Sequence, residues 1–168
     1  MFVASMNPCP CGFYGSKEKE CTCSPQAIQR YMGKISGPLL DRIDIQIEVT
    51  AVKYQKLETE EEAENSSKIK ERVNKARRIQ QGRYKENGIY SNAELTPKLV
   101  SKYCKLDKEA KAILQNAFEK LGLSARAHSR ILKVARTIAD LDEEENINVN
   151  HIAEAIQYRS LDKKYWNN

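Results

Sequence analysis

Four of the chain's five cysteines fall in its first 23 residues, as two close pairs: Cys9-Pro10-Cys11-Gly12, then Cys21-Thr22-Cys23 after nine intervening residues. Gly12, Gly15 and the polar run Ser16-Lys17-Glu18-Lys19-Glu20 lie between them, a stretch too hydrophilic to form core. Two Cys-x-Cys hooks joined by a turn-rich loop can converge four thiolates on one tetrahedral zinc ion, which makes Cys9, Cys11, Cys21 and Cys23 candidate metal ligands. The hooks are one residue tighter than the usual Cys-x2-Cys. Reduced free thiols and disulfides are the alternatives. Disulfides fit poorly with a lysine- and glutamate-rich chain that opens on no leader-like segment and carries an odd fifth cysteine. Cys104 reads as an ordinary buried small side chain.

A hydrophobic content of 40% over 168 residues supports one core, organised as one domain or a domain plus a remnant. There is no apolar run of membrane-spanning length and no targeting segment, so a cytosolic, non-membrane protein is expected. The net charge of +5 permits polyanion binding without demonstrating it.

The chain divides into residues 1–58 and 59–168, and the fold class expected is mainly α, a helical domain preceded by an α/β remnant. Residues 2–6 form a short apolar run, strand-like. Ile43-Asp44-Ile45-Gln46-Ile47-Glu48-Val49 alternates strictly, the pattern of a half-buried edge strand. Residues 25–35 read as a helix, followed by a break at Ser36-Gly37-Pro38.

The remainder reads as helices. Thr59 would cap a long charged helix to about Tyr84, opened by Glu60, Glu61 and Glu62, with Asn87-Gly88 as the turn beyond it. Thr96-Pro97 starts a short helix through Cys104. Asp107 caps a third, with Ala110, Ile113, Leu114, Ala117, Phe118 and Leu121 at helical spacing and Gly122 as its stop. Ser124 caps a fourth to about Asp142, and Asn148 a last one through Tyr158.

The fourth helix carries two stripes. Ala127, Ile131, Val134, Ala135 and Ile138 are apolar; Arg126, Arg130 and Lys133 are basic. Arginines in a first helical turn oppose the macrodipole by about 0.3–1 kcal/mol each. A bound anion would reverse that sign, because helix N-termini and guanidinium groups both suit phosphate. From the residues alone, a phosphate site and a solvated basic face are equally open.

Three segments in order carry a resemblance: Met6-Asn7-Pro8-Cys9-Pro10-Cys11-Gly12, Ile35-Ser36-Gly37-Pro38-Leu39-Leu40-Asp41-Arg42-Ile43-Asp44, and the run from Leu123-Ser124-Ala125-Arg126-Ala127-His128-Ser129-Arg130 to Asp140-Leu141. Together with His151-Ile152-Ala153-Glu154-Ala155-Ile156-Gln157-Tyr158-Arg159, they resemble the magnesium-chelatase-like AAA+ ATPases, in particular the bacterial ComM/YifB competence-related group. The resemblance implies that residues 1–58 are the C-terminal remnant of an AAA+ α/β core with a four-cysteine insertion, and that residues 59–168 are the helical lid. It implies sensor 1 at Asn7, an arginine finger offered in trans at Arg42, and sensor 2 at Arg126, with Arg130 beside it toward the nucleotide phosphates. A salt bridge from Arg42 to Asp41 or Asp44 is the competing reading of that arginine.

No G-x-x-x-x-G-K-[ST] occurs in these residues, and no apolar run ends in paired acids for Mg²⁺. By the resemblance, ATP and Mg²⁺ would be bound mainly upstream of Phe2. The chain would then be the C-terminal part of an ATPase, inactive alone, in a homo-oligomeric ring of the hexameric kind. Residues 1–58 would lack most of their sheet partners and be loosely held, while the lid folds by itself. DNA is the expected partner of such a motor, through branch migration, and Lys68, Lys70, Arg72, Lys75, Arg77, Arg78, Arg83 and Lys85 would suit backbone phosphates. The alternatives are a solvated charged face and, for the chain as a whole, a non-enzymatic zinc-knuckle and helical module that binds nucleic acid or a partner.

Overall fold

The computed structural model describes residues 1–50, 52 and 63–159. Among them the structure is helical: α1 (Pro25–Met32), α2 (Gly37–Leu40), α3 (Ser66–Tyr84), α4 (Pro97–Tyr103), α5 (Lys108–Leu121), α6 (Ala125–Leu141) and α7 (Val149–Gln157), with 3-10 turns at Lys85–Asn87 and Asn92–Glu94.

Local chemistry accounts for most of the boundaries. The Ser24, Asp107 and Ser124 side chains each accept from the backbone N–H three residues on, opening α1, α5 and α6. Asn148 and His151 form a reciprocal capping box at α7. Pro97 occupies the first turn of α4, though the Thr96 side chain makes no capping bond. Gly122 ends α5 at φ 57° and Gly88 takes φ 66° in the turn after α3, both left-handed positions that favour glycine.

Three expectations need correction. The Thr59 cap and the Glu60–Glu62 opening turn lie outside the described residues. Residues 63–65 are not helical, and α3 starts at Ser66, where Asn65 accepts from Lys68. Ser36-Gly37-Pro38 is the capped start of the four-residue α2, and α1 stops at Met32 rather than Ile35. No strand forms at residues 2–6 or 43–49. The described residues hold only an isolated parallel bridge, Leu106 to Ile147. Alternation gives an apolar face but no ladder: the Gln46 N–H is taken by the Tyr158 carbonyl, and Ile45, Ile47 and Val49 stay exposed.

Among the described residues the main buried apolar cluster lies in the helical region. Tyr84, Leu95, Val100, Cys104, Ala110, Leu114, Ile131, Ile138, Ile147 and Ile152 belong to one buried cluster that joins α4, α5, α6 and α7. Cys104 is buried there as expected, and burial pushes its thiol up to about 11. Beside the cluster sits a buried polar knot on Asp140. Its carboxylate accepts a two-pronged bond from Arg83 (3.0 Å for the longer prong), one from Arg136 Nε at 3.1 Å and one from Asn92 at 2.8 Å. Tyr84 donates to Asn92 at 2.6 Å, and Arg136 also donates to the carbonyls of Glu144 and Glu145 at 2.6 and 2.7 Å. One buried acid thus ties α3, α6 and the turn before α7 together. Burial lowers the Arg136 guanidinium despite Asp140. Burial pulls Arg83 down too, but the Asp140 hydrogen bonds outweigh it and leave Arg83 raised.

Candidate metal centre and exposed arginines

The loop over residues 9–24 has no regular element, and two tight turns shape it. The Gly12 N–H donates to the Cys9 carbonyl at 3.0 Å, and the Ser16 N–H to the Phe13 carbonyl at 3.0 Å. Gly12 and Gly15 take φ 84° and 79°, the conformations that reverse the chain after each turn. Ser16 Oγ accepts from the Glu18 N–H at 3.1 Å, and Ser24 caps α1 one residue beyond the second hook.

These turns bring the four predicted cysteines together. Cys9 Sγ lies 3.3 Å from that of Cys11 and 3.7 Å from that of Cys21; Cys11 and Cys21 are 3.5 Å apart. With Cys23 included, all four sulfurs lie within 4.8 Å of one another. All are free thiols, Cys9 buried and the others half-buried. Their ionisation is mutually dependent. The Phe13 backbone N–H, aided by Cys9, brings Cys11 down to about 6. A Cys23 backbone bond favours the Cys21 thiolate but is outweighed by burial and by the Cys11 and Cys9 sulfurs, which push Cys21 up to about 12. Such a cluster could hold a metal ion, and its donors are soft.

The predicted nucleotide residues are distributed differently. Asn7 is exposed, two residues before the first cysteine, with its side chain alongside Gly12. Arg42 is exposed beyond α2 and donates to the Pro38 carbonyl at 2.7 Å. Neither neighbouring acid takes it. Asp41 pairs with Arg159 at 3.4 Å, and Asp44 pairs with Arg130. Among the described residues Arg42 pairs with no carboxylate, contrary to the salt-bridge reading. Arg126 is exposed on the first turn of α6. Arg130, one turn on, is occupied by Asp44 and so links α6 to the 43–46 segment.

Arg159 was not singled out from the sequence, yet it organises this site. Its side chain is 1% exposed and donates to the carbonyls of Leu40 (3.3 Å) and Ile43 while pairing with Asp41. Arg159, Arg130 and the Tyr158 carbonyl together dock the arm that presents Arg42 onto the helical region. An arginine following a terminal helix reads as surface, and no local pattern marks it as buried.

The basic residues of α3 are partly neutralised. Arg72 pairs with Glu64 at 2.8 Å, Lys75 with Glu143 at 3.3 Å, and Arg83 is committed to Asp140. Lys68, Lys70 and Arg78 stay exposed. No helix among the described residues is long and apolar enough to cross a membrane.

The family model for the magnesium chelatase subunit ChlI matches residues 1–57, and that for the ChlI C-terminal part matches residues 63–159. The chain is 44% identical over 160 residues to Competence protein ComM of Haemophilus influenzae, an alignment covering 95% of this chain and 30% of that protein. It is 40% identical over 162 residues to the uncharacterized protein YifB of Escherichia coli, covering 96% and 31%. An uncharacterized Mycobacterium tuberculosis protein is 31% identical over 157 residues, covering 94% and 31%. The chain therefore spans about a third of the length of the curated relatives it matches.

Proposed function

The chain belongs to the magnesium chelatase ChlI family, and from that premise we propose that it supplies the trans-acting and lid residues of an oligomeric AAA+ ATPase. The observation that carries the reading is the state of Arg42. Its two acidic neighbours are each held by another arginine, and its guanidinium stands exposed beyond a docked helix. A solvated arginine placed for nothing would be expected to take Asp41 or Asp44.

In this reading Arg42 reaches the nucleotide of the adjacent subunit. Its forked donors meet the charge that spreads over the equatorial oxygens of the transferred phosphoryl group. Asn7 orients the attacking water from its own subunit. Arg126, at the positive end of α6, contacts phosphate and couples nucleotide state to lid position. Arg130 joins it only by sharing or leaving Asp44.

ATP and Mg²⁺ are bound mainly by a phosphate loop and paired acids that these 168 residues do not contain. The grouped donors found among the described residues are thiols, which do not suit Mg²⁺, and no step through Mg²⁺ is assigned to this chain. The ring is a homo-oligomer, taken as a hexamer, and its work is DNA remodelling of the branch-migration kind. Lys68, Lys70 and Arg78 are the α3 residues best placed to meet backbone phosphates.

The test uses a full-length protein that joins these residues to a phosphate loop. Arg42→Ala should lower ATP turnover by about 10³-fold or more, the scale of an arginine finger, with nucleotide affinity nearly unchanged. Mixing Arg42→Ala subunits with subunits lacking the phosphate-loop lysine should restore part of the activity at mixed interfaces. Turnover at the wild-type rate in the Arg42 variant, or no recovery on mixing, would refute the trans assignment.

A further inference from the structure

We propose that Cys9, Cys11, Cys21 and Cys23 form a closed four-thiolate site for one zinc ion, and that this ion is what gives residues 9–24 their shape. The site is independent of the nucleotide reading above.

Geometry is the first support. A tetrahedron of sulfurs about 2.3 Å from a central zinc has edges of about 3.8 Å. The edges among Cys9, Cys11 and Cys21, at 3.3, 3.5 and 3.7 Å, lie close to that value, and Cys23 keeps every pair within 4.8 Å, the compactness of one mononuclear site. A two- or four-iron cluster would spread its thiolates over different irons, farther apart. The ligands are also complete. A site with all four positions filled by thiolate leaves none for water or substrate, which marks it as structural rather than catalytic.

The surroundings are the second support. Of residues 1–24, Cys9 alone is buried, while Phe2, Val3, Met6 and Tyr14 are exposed. The segment has no apolar core of its own, no helix and no strand to fix its two turns. A small segment without a core needs a cross-link, and here the side chains that converge are the four sulfurs. The turns are built for that convergence: the left-handed Gly12 and Gly15 fold the intervening residues back so that the second hook meets the first.

Zinc also answers the electrostatics of four crowded thiols. Four thiolates held within 4.8 Å of one another crowd negative charge, and a divalent cation at their centre compensates it. Ser24 then starts α1 directly after the second hook, so the metal fixes where that helix begins.

The full 168-residue chain is the sample. Purified under reducing conditions and exchanged into metal-free buffer, it should retain about one zinc per molecule by elemental analysis. Cobalt(II) put in place of zinc should give the intense thiolate charge-transfer and d–d bands of a tetrahedral sulfur site. Cys21→Ser and Cys23→Ser should lose both signals, and Cys104→Ala should keep them. Far-ultraviolet circular dichroism checks folding in each variant; the buried cluster draws no residue from 1–24, so the helical signal should persist. The proposal is overturned if the chain releases zinc on simple exchange, if cobalt gives a weak octahedral spectrum, if the metal recovered is iron with labile sulfide, or if the two serine variants bind zinc as the parent does.

Discussion

The helical region and the amino-terminal arm are held by different physics. Residues 66–157 bury a continuous apolar cluster and place one buried acid among three donor side chains. Residues 1–46 bury little beyond Cys9, Met32 and Leu40, and are fixed by four sulfurs, two arginines and a backbone bond. The first region derives its stability from area removed from water. The second depends on a few directional contacts, each of which can be deleted singly. The residues proposed for catalysis sit on the second, and so does the proposed metal site. Under the proposed function, a motor that changes the position of Arg42 and Asn7 does so by exchanging such contacts without repacking a core.

This contrast can be broken in a graded way. The largest effect is expected at Asp140. Asp140→Ala leaves Arg136, 2% exposed, and the mostly buried Arg83 without their carboxylate, and should destabilise the helical region by roughly 3–5 kcal/mol in denaturant unfolding. A change below about 1 kcal/mol would show that the polar knot contributes little.

Arg159→Gln comes next. It removes charged hydrogen bonds to the Leu40 and Ile43 carbonyls and to Asp41. The expected cost is about 2–3 kcal/mol, felt mainly in the arm. Hydrogen exchange should quicken at Asp41–Gln46 and leave α5 and α6 as they were. Uniform acceleration would mean that Arg159 serves the helical core instead.

Ser124→Ala should cost about 1 kcal/mol through loss of the α6 cap, a helical-region effect read by thermal melting. The smallest change is Arg130→Ala. Its partner Asp44 is 57% exposed, so the loss should stay within about 1 kcal/mol, smaller still at high salt. A loss of several kcal/mol would place that pair in the core rather than on the surface.

The two regions also differ in how far their sequence announces them. Local signals sufficed for most of the helical region. Asp107, Ser124 and Asn148 cap where their side chains can reach the next turn, and Gly122 stops α5 because the left-handed turn needs glycine. Asp107 through Gly122 needs no distant partner to define its ends. The Ile43–Val49 alternation failed as a strand signal because strand formation is a property of pairs, and the described residues offer it the Tyr158 carbonyl instead of a ladder. The cysteine cluster was legible since metal spacing is written in sequence. The burial of Arg159 and Asp140 was not: a charged side chain becomes interior only when its partners arrive from other elements. Arg83 comes to Asp140 from 57 residues away, and Arg159 reaches Leu40 across 119. The exposure of Arg42 depended on the same long-range pairing, and Leu40-Asp41-Arg42-Ile43-Asp44 in isolation leaves open a salt bridge whose two acids the fold assigns to other arginines.

The most direct test of a core-built region joined to a contact-built arm is hydrogen exchange on the 168-residue chain, with zinc and then after chelation. The account predicts slow amides in Lys108–Leu121 and Ala125–Leu141 that chelation leaves unchanged, fast amides at residues 2–6 in both states, and a rise in exchange confined to residues 9–32 when zinc is removed. Acceleration throughout α5 and α6 on chelation, or strong protection of residues 2–6 in the monomer, would contradict it.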